Sequence, residues 1–174
     1  GVSLKIAQLP FPVESNEQII GKVLEQVTTQ TKFAFLDHIT SETATIFPIE
    51  ELINEFRKRN IPLLIDGAHA PGMVPLNIQK LNPDYYTGNC HKWLCSPKGA
   101  AFIYVKPELQ SQTKPAIISN YFEKGDTISE QFFNSYYWSG TADYTAYCCV
   151  KPVIEYLSEV FPGGWPAIME HNRR

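Results

Sequence analysis

The sequence predicts an α/β fold: a mostly parallel sheet flanked by helices in a three-layer α/β/α arrangement. Three observations predict it. Short apolar runs of strand length recur between segments whose apolar residues follow a helical period. The bodies of those runs are apolar, as strands covered by helices on both faces are. Polar and titratable residues gather where the runs stop, and open parallel sheets bind ligands beyond the carboxyl ends of their strands.

Each element has its own signal. Residues 2–9, "VSLKIAQL", alternate apolar and polar side chains before Pro10, which predicts a strand. Residues 15–30 open with Ser15 and Gln18 at capping-box spacing, and Ile19, Ile20, Val23, Leu24 and Val27 recur with a helical period. "TKFAFLDHIT" predicts a buried strand ending near Asp37. "PIEELINEFRKRN" predicts a helix starting at Pro48, with Ile49, Leu52, Ile53 and Phe56 on one face. "IPLLIDG" reads as a short strand closed by Asp66 and Gly67, and "PLNIQKLN" as a short helix or turn. "DYYTGN" and "AAFIYVKP" predict two more strands, the second ended by Pro107. Residues 107–135 are polar and weakly periodic, and read as a long excursion. Residues 141–160 look helical, with Pro152 as a kink or a boundary. Turn residues and the start of another helix close the chain.

Bulk properties bound the function. The chain has 174 residues, 44% hydrophobic and 13% aromatic, enough for one domain with a sizeable core. A net charge of −3 with scattered basic residues argues against nucleic acid as a partner. No apolar stretch approaches the ~20 residues that a membrane span needs, and no secretory signal opens the chain. Cys90, Cys95, Cys148 and Cys149 lack paired CxxC spacing, so no metal site is expected. Free thiols in a cytoplasmic, reducing setting are the simplest account.

The strand ends concentrate the chemistry. His38, Thr40 and Ser41 follow the first buried strand, Asp66 and His69 the next, and Asn89, His91 and Lys92 the one after. Taken singly, Asp66 reads as a turn residue, His69 as a satisfied polar group and Lys92 as a surface charge. Three such ends in succession suggest a shared pocket. A carboxylate, imidazoles and an amine suit a cofactor that needs a cation partner, hydrogen-bond donors and a covalent anchor. Tyr85, Tyr86 and Trp93 are expected to wall that pocket, where desolvation favours the uncharged amine that a nucleophile requires.

These residues resemble a known family. "LIDGAHAPG" followed by "DYYTGNCHKWLCSPKGAAFIYV" resembles the pyridoxal-phosphate signature of the class V aminotransferases, fold-type I enzymes that include cysteine desulfurases. "DHITSETATIFPI" and "DGAHAPG" are most similar to the isopenicillin N epimerase-like branch. The resemblance implies pyridoxal 5'-phosphate as cofactor and a small amino acid as substrate. It implies Lys92 as the residue that forms a Schiff base with the cofactor and moves protons at the substrate α carbon. Asp66 would pair with the pyridine nitrogen. His69, Ser41 and Thr40 match contacts near the ring hydroxyl, and Asn89 and His91 match the phosphate side. Gly140 and Thr141, in "WSGTADYTAY", would reach the phosphate of a neighbouring subunit in a homodimer.

The resemblance also implies an organisation. Residues 1–140 correspond to part of the cofactor-binding large domain, and 141–174 to the start of the small domain or a connecting helix. The segment that holds the phosphate and stacks on the ring, and most of the small domain, have no counterpart here. The expectation is a fragment with little cofactor binding of its own. Arg173 and Arg174 are not expected to replace the small-domain arginine. Cys90 and Cys95 are expected to be small buried filler rather than nucleophiles. Epimerase, desulfurase and sulfur–carbon lyase chemistries stay open, beside a non-catalytic folded fragment. A nucleotide-binding domain is disfavoured, since neither GxGxxG nor GxxxxGK[ST] is present.

Overall fold

The structure is a computed structural model, and it describes residues 1–173. Four strands form one sheet: β1 (Ala34–Asp37), β2 (Leu63–Asp66), β3 (Tyr85–Asn89) and β4 (Ala101–Val105), in the order β1-β2-β3-β4. β1, β2 and β3 run parallel, and β4 returns antiparallel to β3. The parallel pairs need crossovers, which α2 (Ile49–Lys58) and the short α3 (Ile78–Leu81) supply.

Helix α1 (Asn16–Leu24) begins where the sequence indicates, and Ser15 Oγ accepts the Gln18 amide N–H. The Gln18 side chain caps Glu14 N–H rather than Ser15, so the box is shifted by one residue. The helix also stops at Leu24, short of the predicted residue 30. In α2, Pro48 sits at the N-cap, and Ile49, Leu52, Ile53 and Phe56 are all buried, as their spacing dictates. With Ile19 and Val23 of α1 they cover one face of the sheet through Leu63, Ile65 and Tyr86. Tyr136 of α4 (Ile128–Tyr137) has its pKa raised by burial first and then by Tyr85, which lies on the other face of β3.

Two expectations change, and the alternatives at Pro152 are decided. Residues 2–9 form no strand: Val2, Leu4 and Ile6 are exposed, while Ala7 and Leu9 touch the core. A strand needs a hydrogen-bonded neighbour, and among the described residues none pairs with this segment. Residues 107–135 are not a bare excursion. They hold a short 3₁₀ helix, Pro107–Gln112, and most of α4, which a complete Thr127–Glu130 capping box starts. Pro152 lies in the first turn of α6 (Val150–Val160), where proline is tolerated. It marks the boundary after α5 (Thr145–Cys148) instead of kinking one long helix. α7 (Gly164–Asn172) follows. Among the described residues no helix is long and apolar enough to cross a membrane, and no group of His, Cys, Asp and Glu could hold a metal. Arg174 lies outside the described residues.

Candidate functional site

Strand register decides which polar residues meet. Successive strand residues point to opposite faces. Asp37 pairs with Asp66, and Asp66 with Thr87, so these three share one face. Ile65 and Tyr86 pair on the other, in the core. The two carboxylates therefore stand side by side at the carboxyl ends of β1 and β2, away from α2.

Beyond β2 the chain turns through Gly67–Val74, with Ala70, Met73 and Val74 buried as its anchor. This turn carries His69. Beyond β3 the loop 90–100 is closed by Cys90 N–H to Ala100 O at 3.0 Å and Ser96 N–H to Cys90 O at 2.9 Å. A tight turn inside it, Cys95 N–H to Lys92 O at 3.0 Å, presents Lys92 and Trp93. The two loops touch: a Cβ on Gly72, at φ +83°, would lie 2.4 Å from the Trp93 carbonyl oxygen. α7 braces the same turn, with Asn172 Nδ2 donating to Gly72 O at 3.1 Å.

Lys92 Nζ and His69 Nε2 are 2.8 Å apart as a result. The Trp93 indole N–H donates to His69 Nδ1 at 3.3 Å. Asp66 Oδ1 accepts the Ala68 N–H at 2.9 Å, and its second oxygen has no hydrogen-bond partner among the described residues. Lys92 takes part in no ion pair among the described residues. Burial holds the His69 imidazole below its ordinary pKa, as does positive charge at Lys92, while Asp66 and Asp37 oppose them. Burial first, and then the Asp66 charge, push the Asp37 carboxyl up; His69 and Lys92 pull it down. Asp37, Asp66, His69 and Lys92 thus form one electrostatic group.

The remaining predicted residues sit around or apart from this group. Asn89 ends β3 in register with Ala101. His91 turns to backbone, its Nδ1 3.2 Å from Ala100 O. The Thr40 hydroxyl is absorbed by its own loop, 2.6 Å from Thr43 Oγ1 and accepting the Thr45 N–H at 2.9 Å. Ser41 is exposed. Gly140, half-buried, and Thr141, exposed, lie in the link between α4 and α5, where Gly140 O accepts the Tyr144 hydroxyl at 2.6 Å.

Several expectations about the pocket are corrected. His38 faces the core, because it lies one residue beyond Asp37 and so on the opposite face; its Nδ1 is 2.7 Å from the Tyr86 hydroxyl. Burial drops its pKa to about 4. Tyr85 and Tyr86 cannot both wall one pocket. Tyr86 is buried, and Tyr85 packs on Phe33 with ring centroids 5.9 Å apart. Cys90 is buried as expected, but Cys95 is exposed with φ +63°, because it closes the Lys92 turn. Asp37 was not singled out, although "FLD" and "LID" end on the same residue type in strands that pair. The Trp93 contact with His69 had no sequence signal.

The donor set fits pyridoxal phosphate. It offers an amine free of ion pairing, an imidazole in contact with that amine, and a carboxylate with an open oxygen in the same electrostatic group. The class-V aminotransferase family model matches residues 3–174. An L-cysteine desulfhydrase of Arabidopsis thaliana is 34% identical over 99% of this chain and 38% of its own length. The isopenicillin N epimerase of Streptomyces clavuligerus is 29% identical over all of this chain and 47% of its own. The chain therefore spans less than half the length of these relatives. The apo cysteine desulfurase of Thermococcus onnurineus NA1 shares the fold, with a TM-score of 0.65 and 19% identity over 79% of this chain and 35% of its own. The strand-end carboxylates, the lysine turn and a family match over almost all of its length agree: this chain belongs to the class-V aminotransferase family, whose members use pyridoxal phosphate.

Proposed function

We propose that this chain is the cofactor-anchoring part of a pyridoxal-phosphate enzyme that transforms a small amino acid, with an isopenicillin N epimerase-like reaction. The observation that carries the reading is the 2.8 Å contact between Lys92 Nζ and His69 Nε2, within the electrostatic reach of Asp66. When bound, pyridoxal phosphate supplies an aldehyde for an amine and a ring that withdraws electrons. Lys92 would anchor it through its amine and would move protons at the substrate α carbon. Asp66 would pair with the ring nitrogen and hold it protonated. His69, with Ser41 and Thr40, would serve the ring hydroxyl, and Asn89 and His91 the phosphate side; Thr40 and His91 would first exchange their present loop partners for the cofactor. Gly140 and Thr141 serve the phosphate of a second copy in a homodimer.

A second reading is favoured by the 34% identity to the plant L-cysteine desulfhydrase. There the same α-proton removal is followed by loss of a sulfur substituent from the β carbon; desulfurase chemistry belongs to the same group. Residues 1–140 act as part of the large domain and 141–174 as the start of the small domain. A reducing compartment such as the cytoplasm suits the four free cysteines.

Reductive trapping tests the reading. The chain is mixed with pyridoxal phosphate, treated with borohydride and mapped by peptide mass. Lys92 is expected to carry the dominant label, and Lys92→Ala to remove it. Binding without reduction is expected to be weak, in keeping with the partial span. Equal labelling of exposed lysines such as Lys98 and Lys151 would reject the reading in favour of a non-catalytic folded fragment.

A further inference from the structure

We propose that Trp93 is a positioning residue: its indole N–H selects the His69 tautomer whose Nε2–H faces Lys92, which directs a hydrogen bond at the Lys92 nitrogen and so favours its free amine form. The significance of this for catalysis rests on the reading of Lys92 as the anchoring amine; the hydrogen-bond argument does not.

The inference follows from counting protons. An indole N–H is only a donor, and an ammonium is only a donor. A neutral imidazole has one N–H and one lone pair. Trp93 Nε1 points at His69 Nδ1 at 3.3 Å, so the lone pair is at Nδ1 and the proton at Nε2. Nε2 lies 2.8 Å from Lys92 Nζ. A protonated Lys92 would bring a second N–H against Nε2–H, and one of the two contacts would break. All three groups are satisfied together only when Lys92 is uncharged and accepts. The remaining charges facing His69 are Asp37 and Asp66 from the ends of β1 and β2. Burial, against the pull of Asp66 and Asp37, holds the His69 pKa below its ordinary value and so favours the neutral ring with its single lone pair.

The geometry that builds this relay is local. Trp93 follows Lys92 directly, and the Lys92–Cys95 turn holds both side chains toward the His69 loop. Trp93 is 40% exposed, so replacing it disturbs little of the core.

Two readouts test the proposal on the full chain without cofactor. Nitrogen-15 NMR of labelled histidine, with His69 assigned through His69→Gln, reports the tautomer. Competitive acylation with acetic anhydride near neutral pH, read by peptide mass, reports the Lys92 amine relative to Lys80. In the unsubstituted chain His69 is expected as the Nε2–H tautomer. In Trp93→Phe it is expected to shift toward Nδ1–H. Acylation of Lys92 is expected to slow about threefold or more, the effect of one weak hydrogen bond. His69→Gln offers one acceptor and one donor to the same partners, and is expected to keep the faster acylation. An Nδ1–H tautomer in the unsubstituted chain overturns the proposal by itself, whether or not Trp93→Phe folds. An unchanged tautomer and rate in a folded Trp93→Phe variant overturn it as well. Trapping of cofactor on a different lysine would remove the functional reading while leaving the tautomer result standing.

Discussion

Replacing Gly67 by alanine probes the join between core and site. Gly67 follows Asp66 directly, and a Cβ there would lie 2.2 Å from the Tyr86 Cζ and hydroxyl oxygen and 2.3 Å from Cε1. Carbon atoms rest at ~3.5–4 Å, so the ring or the strand end must move by more than ~1 Å. The ring has little room. It is 0% exposed, stacks against Phe102 at 6.3 Å and 8°, and holds His38 Nδ1 at 2.7 Å. Gly67 is not among the residues with positive φ, so alanine meets no backbone strain there. Its smaller unfolded-state entropy alone would stabilise by ~0.4–1 kcal/mol. Against this stand an overpacking cost of ~1–3 kcal/mol and loss of the Tyr86–His38 hydrogen bond, ~1 kcal/mol. The net expectation is a loss of about 1–3 kcal/mol, or a fall in Tm of roughly 2–12 °C for a chain of this size. Urea unfolding followed by tryptophan fluorescence measures it. Because the ring causes the collision, Gly67→Ala combined with Tyr86→Leu should cost clearly less than the sum of the two. An unchanged Gly67→Ala midpoint, or strictly additive costs, would refute the reasoning.

Two other outcomes follow from the same geometry. The His38 pKa of about 4 lies below its unfolded value near 6.5, so its contribution is fully present above the unfolded value and drains away as pH falls toward 4. Urea unfolding at pH 7 and pH 5 should differ by about 2 kcal/mol from this group; His38→Gln should remove that share, leaving the opposite trend from Asp37, whose raised pKa favours the fold in acid. Thr127→Ala removes the acceptor for the Glu130 N–H at 3.2 Å and a capping box at the start of α4. It should cost about 1 kcal/mol, read as a Tm lower by roughly 2–4 °C with little change in Lys92 trapping.

The elements whose signal is local were legible in the sequence. The Ile49–Leu52–Ile53–Phe56 stripe predicts α2, because a helix positions those residues on one face whatever surrounds it. The apolar runs ending in Asp37, Asp66 and Asn89 predict β1 to β3, since their ends are set by the change to polar residues. Alternation at residues 2–9 misled for the converse reason: a strand exists only through a neighbour, and periodicity carries no information about one. In residues 107–135 the Thr127–Glu130 spacing is a local helix-start signal that the polar, weakly periodic composition around it obscures.

The chemical inventory, a carboxylate, imidazoles and an amine at successive strand ends, was also determined by the chain alone. Which of them meet was not. Parallel register aligned Asp37 with Asp66, and the period of two turned His38 into the core one residue later. Two loops of unrelated sequence then brought Lys92, His69 and Trp93 within hydrogen-bonding distance. Residue type sets what a side chain is able to do; only the packing of distant segments sets which partner it has, because a hydrogen bond acts over about 3 Å and the chain between His69 and Lys92 does not encode that distance.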